Sequence, residues 1–326
     1  MESHLKVIVV GSGNSGSGAI FDYLKGRPDF ISPLSQEFRL IQDPGGIMDL
    51  HSALIHGFHV NRASAAIENF IDLCERCGRE KTKFQDGLLY NRDLQDYYKK
   101  VVSYIEKITE VQYQGMPFCE RSKLSKWKTY LYRKKQERAI NKGKKYLFGN
   151  VRLPVTEEKF LRQTEIFLNS LFDIDSLKEE NKKNIVIDQG GSYWQPASSN
   201  AYYGKNCKTI VVSRDPRGIY NSFITKGMAY PGRDVKLFCR WYKNMKLHVD
   251  SNEWKDDNVM HIQFEDFVRN FNKEKKKLDK FLGIPIELSS KSDISESSFN
   301  ADKFRKRLTD EELSTIETDL KQYLYF

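Results

Sequence analysis

Thr209-Ile210-Val211-Val212-Ser213-Arg214-Asp215-Pro216-Arg217-Gly218-Ile219-Tyr220-Asn221-Ser222 is the stretch that decides how this chain folds. Its first half is a continuous apolar, β-branched run, the pattern of a strand covered on both faces. Pro216 then opens a helix, where its fixed φ and missing N–H cost nothing. Arg214 therefore stands at the C-terminal end of a strand, the edge at which open α/β sheets bind ligands. Ser222 follows eight residues later, inside the helix. A guanidinium and a hydroxyl converging there hold one phosphate through charge-assisted hydrogen bonds. The structural alternative is that Arg214 pairs with Asp215 or caps a strand edge, and this segment alone leaves both open.

Working outward, further strand candidates lie at 7–10, 30–32, 185–188 and 259–263, each followed by a turn or a helical segment. Strands alternating with helices signify parallel β-α units, not an all-β or bundle fold. Residues 60–180 read as almost wholly helical, with helices at 62–77, 91–109, 121–141 and 156–172. This segment forms a helical lobe inserted between early and late strands of one domain spanning 1–326. No internal repeat or low-complexity linker interrupts it.

The first strand leads into Gly11-Ser12-Gly13-Asn14-Ser15-Gly16-Ser17-Gly18, with helical spacing from Ala19 to Lys25. Glycines between a strand and a helix let the backbone approach a phosphate, and the helix N-terminus presents free N–H groups and a partial positive charge. Ser15 and Ser17 add hydroxyl donors. Two readings compete. Gly11-x-Gly13-x-x-Gly16 matches the dinucleotide fingerprint, and Glu37, 21 residues after Gly16, falls near the place of a ribose-binding acid. A Walker A loop is the other, but Ser17 occupies its lysine position, which argues against a kinase or ATPase of that kind. The loop by itself does not choose between a nicotinamide or flavin site and a nucleotide phosphate site.

Of 326 residues, 39% are hydrophobic and 30% charged, enough to bury a core of ordinary size. No apolar run approaches the roughly 20 residues of a membrane-spanning helix. The N-terminus lacks the apolar core of a signal peptide, which implies a cytoplasmic chain. Five cysteines in a chain this long argue against a disulfide framework. Cys74-x-x-Cys77 has no second Cys or His pair at zinc spacing and reads as two helical residues. The net charge of +9 is uneven: residues 121–145 hold eleven basic residues against Glu137, a local +10, and the remainder sums to −1. That run is a solvated basic helix or an electropositive face for an anionic ligand. Its aromatics, Trp127, Tyr130, Tyr132 and Tyr146, fit no nucleic-acid-binding motif, which argues against a nucleic-acid partner.

With both phosphate motifs in this order, the chain resembles the sulfotransferases that use 3′-phosphoadenosine 5′-phosphosulfate (PAPS). In that family a glycine/serine loop after the first strand binds the 5′-phosphosulfate. A later strand followed by Arg-Asp-Pro-Arg-x4-Ser binds the 3′-phosphate through its Arg and Ser, here Arg214 and Ser222. A third stretch, Val259-Met260-His261-Ile262-Gln263-Phe264-Glu265-Asp266-Phe267 leading to Phe281-Leu282-Gly283-Ile284, is similar to the family's late strand, turn and helix end. The resemblance covers residues 5–40 and 185–326. It implies a three-layer, P-loop-type α/β fold with a central, mostly parallel sheet and a helical insertion. It also implies sulfuryl transfer from PAPS to an acceptor hydroxyl, with 3′,5′-adenosine bisphosphate (PAP) as product and no metal, because amides, hydroxyls and cations neutralise the charge. Gly11, Gly13, Asn14, Ser15, Gly16, Ser17 and Gly18, with Arg214 and Ser222, would then bind the nucleotide.

The departure from the family pattern is Asn14, where sulfotransferases usually carry Lys or Arg to stabilise charge on the leaving phosphate. Losing a preorganised donor of that kind costs about 2.7–4 kcal/mol of transition-state stabilisation. Arg39, Arg152 and Lys226 are the candidate replacement cations. In the glycan and tyrosylprotein branches a glutamate just after the first β-α unit is the catalytic base. Glu37 occupies that place, and Glu37-x-Arg39 is similar to the tyrosylprotein pattern; an ion pair with Arg39 is the structural alternative. His51, His56 and His59 are rival bases, since the cytosolic branch uses a histidine, but none sits in a recognisable motif. Tyr193 and Trp194 would stack on adenine or pack in the core. The acceptor is a hydroxyl compound, and the +10 segment points to an anionic glycan. A nucleotide-binding module with weakened or lost activity, marked by Asn14, and a Rossmann-type oxidoreductase are the alternatives.

Overall fold

The computed structural model describes residues 4–115, 121–143, 149–172, 184–226, 229–285, 290 and 301–326. Among them are seven strands: β1 (Leu5–Gly11), β2 (Phe30–Ile31), β3 (Thr109–Gln114), β4 (Asn150–Pro154), β5 (Asn184–Asp188), β6 (Cys207–Ser213) and β7 (Val259–Gln263). The chain divides into two compact units, Met1–Phe38 with Asp173–Phe326, and Arg39–Phe172.

The first unit is built on a five-stranded sheet of order β2-β5-β1-β6-β7, parallel throughout. All five strands read from the sequence are present, flanked by helices as an α/β fold requires. Six of the seven β1 residues are buried because neighbours cover both faces, which is why the run is apolar without alternation. Val7 and Val9 join Ile20, Leu24, Val186, Ile210, Val212, Ile262, Phe264 and Leu278 in one core cluster. A second cluster gathers Ile219, Tyr220, Phe223, Phe238, Tyr242 and Ile316 from the helices Pro216–Lys226, Val235–Leu247 and Asp310–Asp319.

The strand order bears on the two loop readings. In the dinucleotide-binding order, 3-2-1-4-5-6, the second strand pairs with the first. Here β5 lies between β1 and β2, so Glu37, which follows β2, does not end a strand adjacent to the glycine loop.

The second unit holds the helices Val60–Gly78, Tyr97–Ile108, Lys126–Asn141 and Glu157–Phe172. Tyr104 stacks on Phe167 at 4.4 Å, and Phe70 meets both rings edge-on. Two features differ from the sequence expectation. The helix expected over 91–109 is broken into Tyr90–Asp93 and Tyr97–Ile108 at Asp96, whose φ of 51° is left-handed. The lobe is also not wholly helical, because β3 and β4 form an antiparallel pair. Val111 and Tyr113 alternate with Glu110, Gln112 and Gln114, a period-two pattern without the apolar run of a buried strand, and both lie exposed. Cys74 and Cys77 are buried free thiols, and burial pushes both up, Cys77 to about 12, so neither offers a thiolate. No helix among the described residues is long and apolar enough to cross a membrane.

Candidate functional site

The loop from Gly11 to Gly18 leaves β1 at the C-terminal edge of the sheet and enters helix Ser17–Lys25. Gly13, Asn14 and Gly16 adopt positive φ, 92°, 50° and 85°, the kind of backbone from which anion-binding nests are built. Asn is among the few side-chain-bearing residues that visit this region readily, which suits it to position 14. At Gly16 the Phe264 ring leaves no room for a side chain, since a β-carbon there would lie 2.3 Å from the ring. The Tyr230 hydroxyl closes on Gly13 in the same way, 2.5 Å from where a β-carbon would stand. Ser15 is buried, and its hydroxyl has no hydrogen-bond partner among the described residues. Ser17 accepts from the Gln189 amide at 3.0 Å, and the same Gln189 side chain accepts the Gly11 N–H at 3.4 Å. A β-carbon at Gly18 would meet open space, so nothing steric requires glycine there.

Arg214 and Ser222 meet as their spacing implied. Arg214 Nη1 donates to Ser222 Oγ at 3.3 Å and to the Asn14 carbonyl at 3.2 Å, so the guanidinium touches the glycine loop itself. Ser222 Oγ in turn donates to Gly218 O one helical turn back, at 3.1 Å. The guanidinium lies 4.9 Å over the Phe264 ring, the ring that also abuts Gly16. Burial lowers the Arg214 pKa, an effect that Glu265 and Asp215 oppose. An anion at this position would offset the same desolvation.

The ion pair considered for Arg214 is made by its neighbour. Arg217 pairs with Asp215 at 2.7 Å, both buried, and extends to Glu317 at 2.7 Å and to the Tyr325 carbonyl at 3.1 Å. Asp215 also accepts the Tyr325 N–H at 3.0 Å. The first arginine of Arg-Asp-Pro-Arg thus faces the loop, and the second ties the motif to the C-terminal segment.

Glu37 is half-buried in the loop after β2. The next residue, Phe38, donates its N–H to Asp188 O at 2.8 Å, and Gln189 follows with its contacts to Gly11 and Ser17. Glu37 is thereby anchored at the sheet edge that carries the glycine loop. Gln189, at φ 54°, is the element that sequence reasoning missed; its only signal is its place between a buried strand and Gly190-Gly191.

The other candidates have structural partners. In the second unit Arg39 bridges Asp43 at 3.4 Å, Arg152 pairs with Glu68, and His59 caps helix Val60–Gly78 by accepting from Asn61 N at 3.2 Å. The side chain of Lys226 lies outside the described residues. Tyr193 is 1% exposed, accepts from Lys246 at 2.7 Å and meets Trp194 and Trp254 edge-on, so it packs in the core. Trp194 donates to Met245 O at 3.2 Å against the second core cluster.

The family model described as a sulfotransferase domain matches residues 197–325, from the helix before β6 to the C-terminal segment. Over that stretch the chain is similar to sulfotransferase domains. The match includes Arg214, Ser222 and the Asp215–Arg217 pair, and the glycine loop lies outside it. Solved structures similar to the chain include the sulfotransferase domain of the Synechococcus PCC 7002 olefin synthase, at 14% identity and TM-score 0.41, covering 100% of this chain and 97% of that one. The sulfotransferase domain from the curacin biosynthetic pathway is 15% identical, with TM-score 0.41 and 98% of each chain covered. Mouse sulfotransferase SULT7A1, complexed with PAP, is 17% identical, with TM-score 0.29 and coverage of 47% and 70%. No curated protein matches the chain.

Proposed function

We propose that this protein transfers a sulfuryl group from PAPS to an acceptor hydroxyl, as one sulfotransferase-like domain spanning 1–326. The observation that carries the reading is the contact of Arg214 with both Ser222 and the Asn14 carbonyl. It sets a cation and a hydroxyl for a 3′-phosphate against the loop suited to the 5′-phosphosulfate. The fit extends to Ser15, whose buried, unpartnered hydroxyl would donate to a phosphate oxygen. Bound PAPS supplies an activated sulfuryl group with a phosphate leaving group. Gly11 to Gly18 hold the phosphosulfate, Arg214 and Ser222 select the 3′-phosphate, and Glu37 takes the acceptor proton. The acceptor class we favour is an anionic glycan, on the charge of the 121–145 segment.

Isothermal titration with PAP against 5′-AMP tests this reading. PAP should bind more tightly by about 10- to 100-fold, the value of a charge-assisted hydrogen-bond set. Arg214→Lys should lose most of that preference, since an ammonium cannot reproduce the planar fork. Equal binding of the two nucleotides, or of neither, would overturn it. Asn14 favours a second reading, a nucleotide-binding module without turnover. PAP binding without sulfuryl transfer to any hydroxyl acceptor would establish it.

A further inference from the structure

In the second unit, helix Ile47–His51 runs into a π-turn, Ser52–His56. The Gly57 N–H reaches back five residues to Ser52 O at 2.8 Å, closing that wider turn. Residues five apart on an α-helix point about 140° from each other, at 3.6 residues per turn. The wider turn reduces that angle, and the His51 and His56 ring centroids are 4.8 Å apart. Single π-turns of this kind recur at functional sites because they carry a local cost. A third group arrives from far along the chain. Glu157 opens helix Glu157–Phe172, and its Oε1 lies 3.2 Å from His51 Nε2. Phe160, one turn further on and fully buried, stacks on the His51 ring at 5.1 Å and 17°, fixing its plane.

We propose that His51, His56 and Glu157 bind a divalent transition-metal ion of the zinc class. One ligand atom from each residue lies within 4.8 Å of the other two. A tetrahedral ion with bonds of about 2.0–2.2 Å sets its ligands about 3.3 Å apart, and the His51–Glu157 pair already stands at 3.2 Å. His56 is exposed, so its ring closes the set by a side-chain rotation that disturbs no core. Two imidazoles and one carboxylate suit zinc, cobalt or nickel; calcium and magnesium require oxygen ligands. Three protein ligands leave at least one coordination position for water or an incoming ligand. The site does not depend on the nucleotide reading.

The test uses the whole chain, free of any affinity tag and stripped with chelator. Isothermal titration with ZnCl2 should show one equivalent bound. His56→Ala and Glu157→Gln should each weaken binding by about 100-fold or more, at least the loss typical of disturbing a metal's outer shell. The exposed His248→Ala serves as the unaffected control. Thermal melts without metal confirm that the variants fold, and Glu157→Gln keeps a hydrogen-bonding group at His51. Cobalt(II) should give d–d absorption in the parent chain without thiolate charge-transfer bands. Failure of the parent to bind, unchanged affinity in either variant, or a thiolate band pointing to Cys74 and Cys77 would each overturn the proposal.

Discussion

Arg214 touches the Asn14 carbonyl, the Ser222 hydroxyl and the face of Phe264, three points that lie far apart in the sequence. Its spacing to Ser222 was legible, because eight residues across a strand end and two helical turns fix the approach of both groups. Its contact with the glycine loop was not, since nothing in the sequence orders β1 beside β6. Glu37 illustrates the same division. Its place after β2 was readable, but the Phe38–Asp188 hydrogen bond that anchors it arises from the strand order. If Glu37 takes the acceptor proton, Glu37→Gln should reduce turnover by about 10²-fold or more while PAP affinity is kept. Steady-state rates beside titration calorimetry separate the two effects, and near-normal turnover would remove Glu37 from that role.

At the scale of elements, the central strands β1, β5 and β6 announced themselves through apolar, β-branched runs, whereas β3 is polar and exposed and carries no such mark. The π-turn was equally silent, because His51 and His56 stand at a spacing that an α-helix would splay. The junction of β1 with helix Ser17–Lys25 depends on Gly16. Gly16→Ala adds a left-handed penalty of about 1–2 kcal/mol to the collision with Phe264. It should lower both the urea midpoint and PAP affinity. Combining it with Phe264→Leu should restore the steric part and leave the backbone part, a non-additivity that a double-mutant cycle measures. Full additivity would show that the ring does not confine the loop.

Across the whole first unit, the Asp215–Arg217 pair joins the phosphate motif to helix Asp310–Asp319 through Glu317 and to the segment at Tyr325. Removing one member of a buried pair strands the other, at a cost of about 3–5 kcal/mol. Arg217→Met should therefore lower the thermal midpoint steeply, and adding Asp215→Asn should recover part of the loss, as calorimetry would record. A shift no larger than that of an exposed substitution would mean that the pair contributes little.

The strand order also has a temporal consequence. Among the described residues β1 pairs with β5 and β6, Leu5 opposite Asn184 and Lys6 opposite Cys207, partners some 180 to 200 positions downstream. During synthesis its bare apolar edge must wait, through the making of the entire helical unit, for the segments that will shelter it. Distant pairing of this kind slows folding and lengthens exposure to aggregation. Newly made chains of this protein should accordingly lean on chaperones that shield a lone hydrophobic strand close to the ribosome exit.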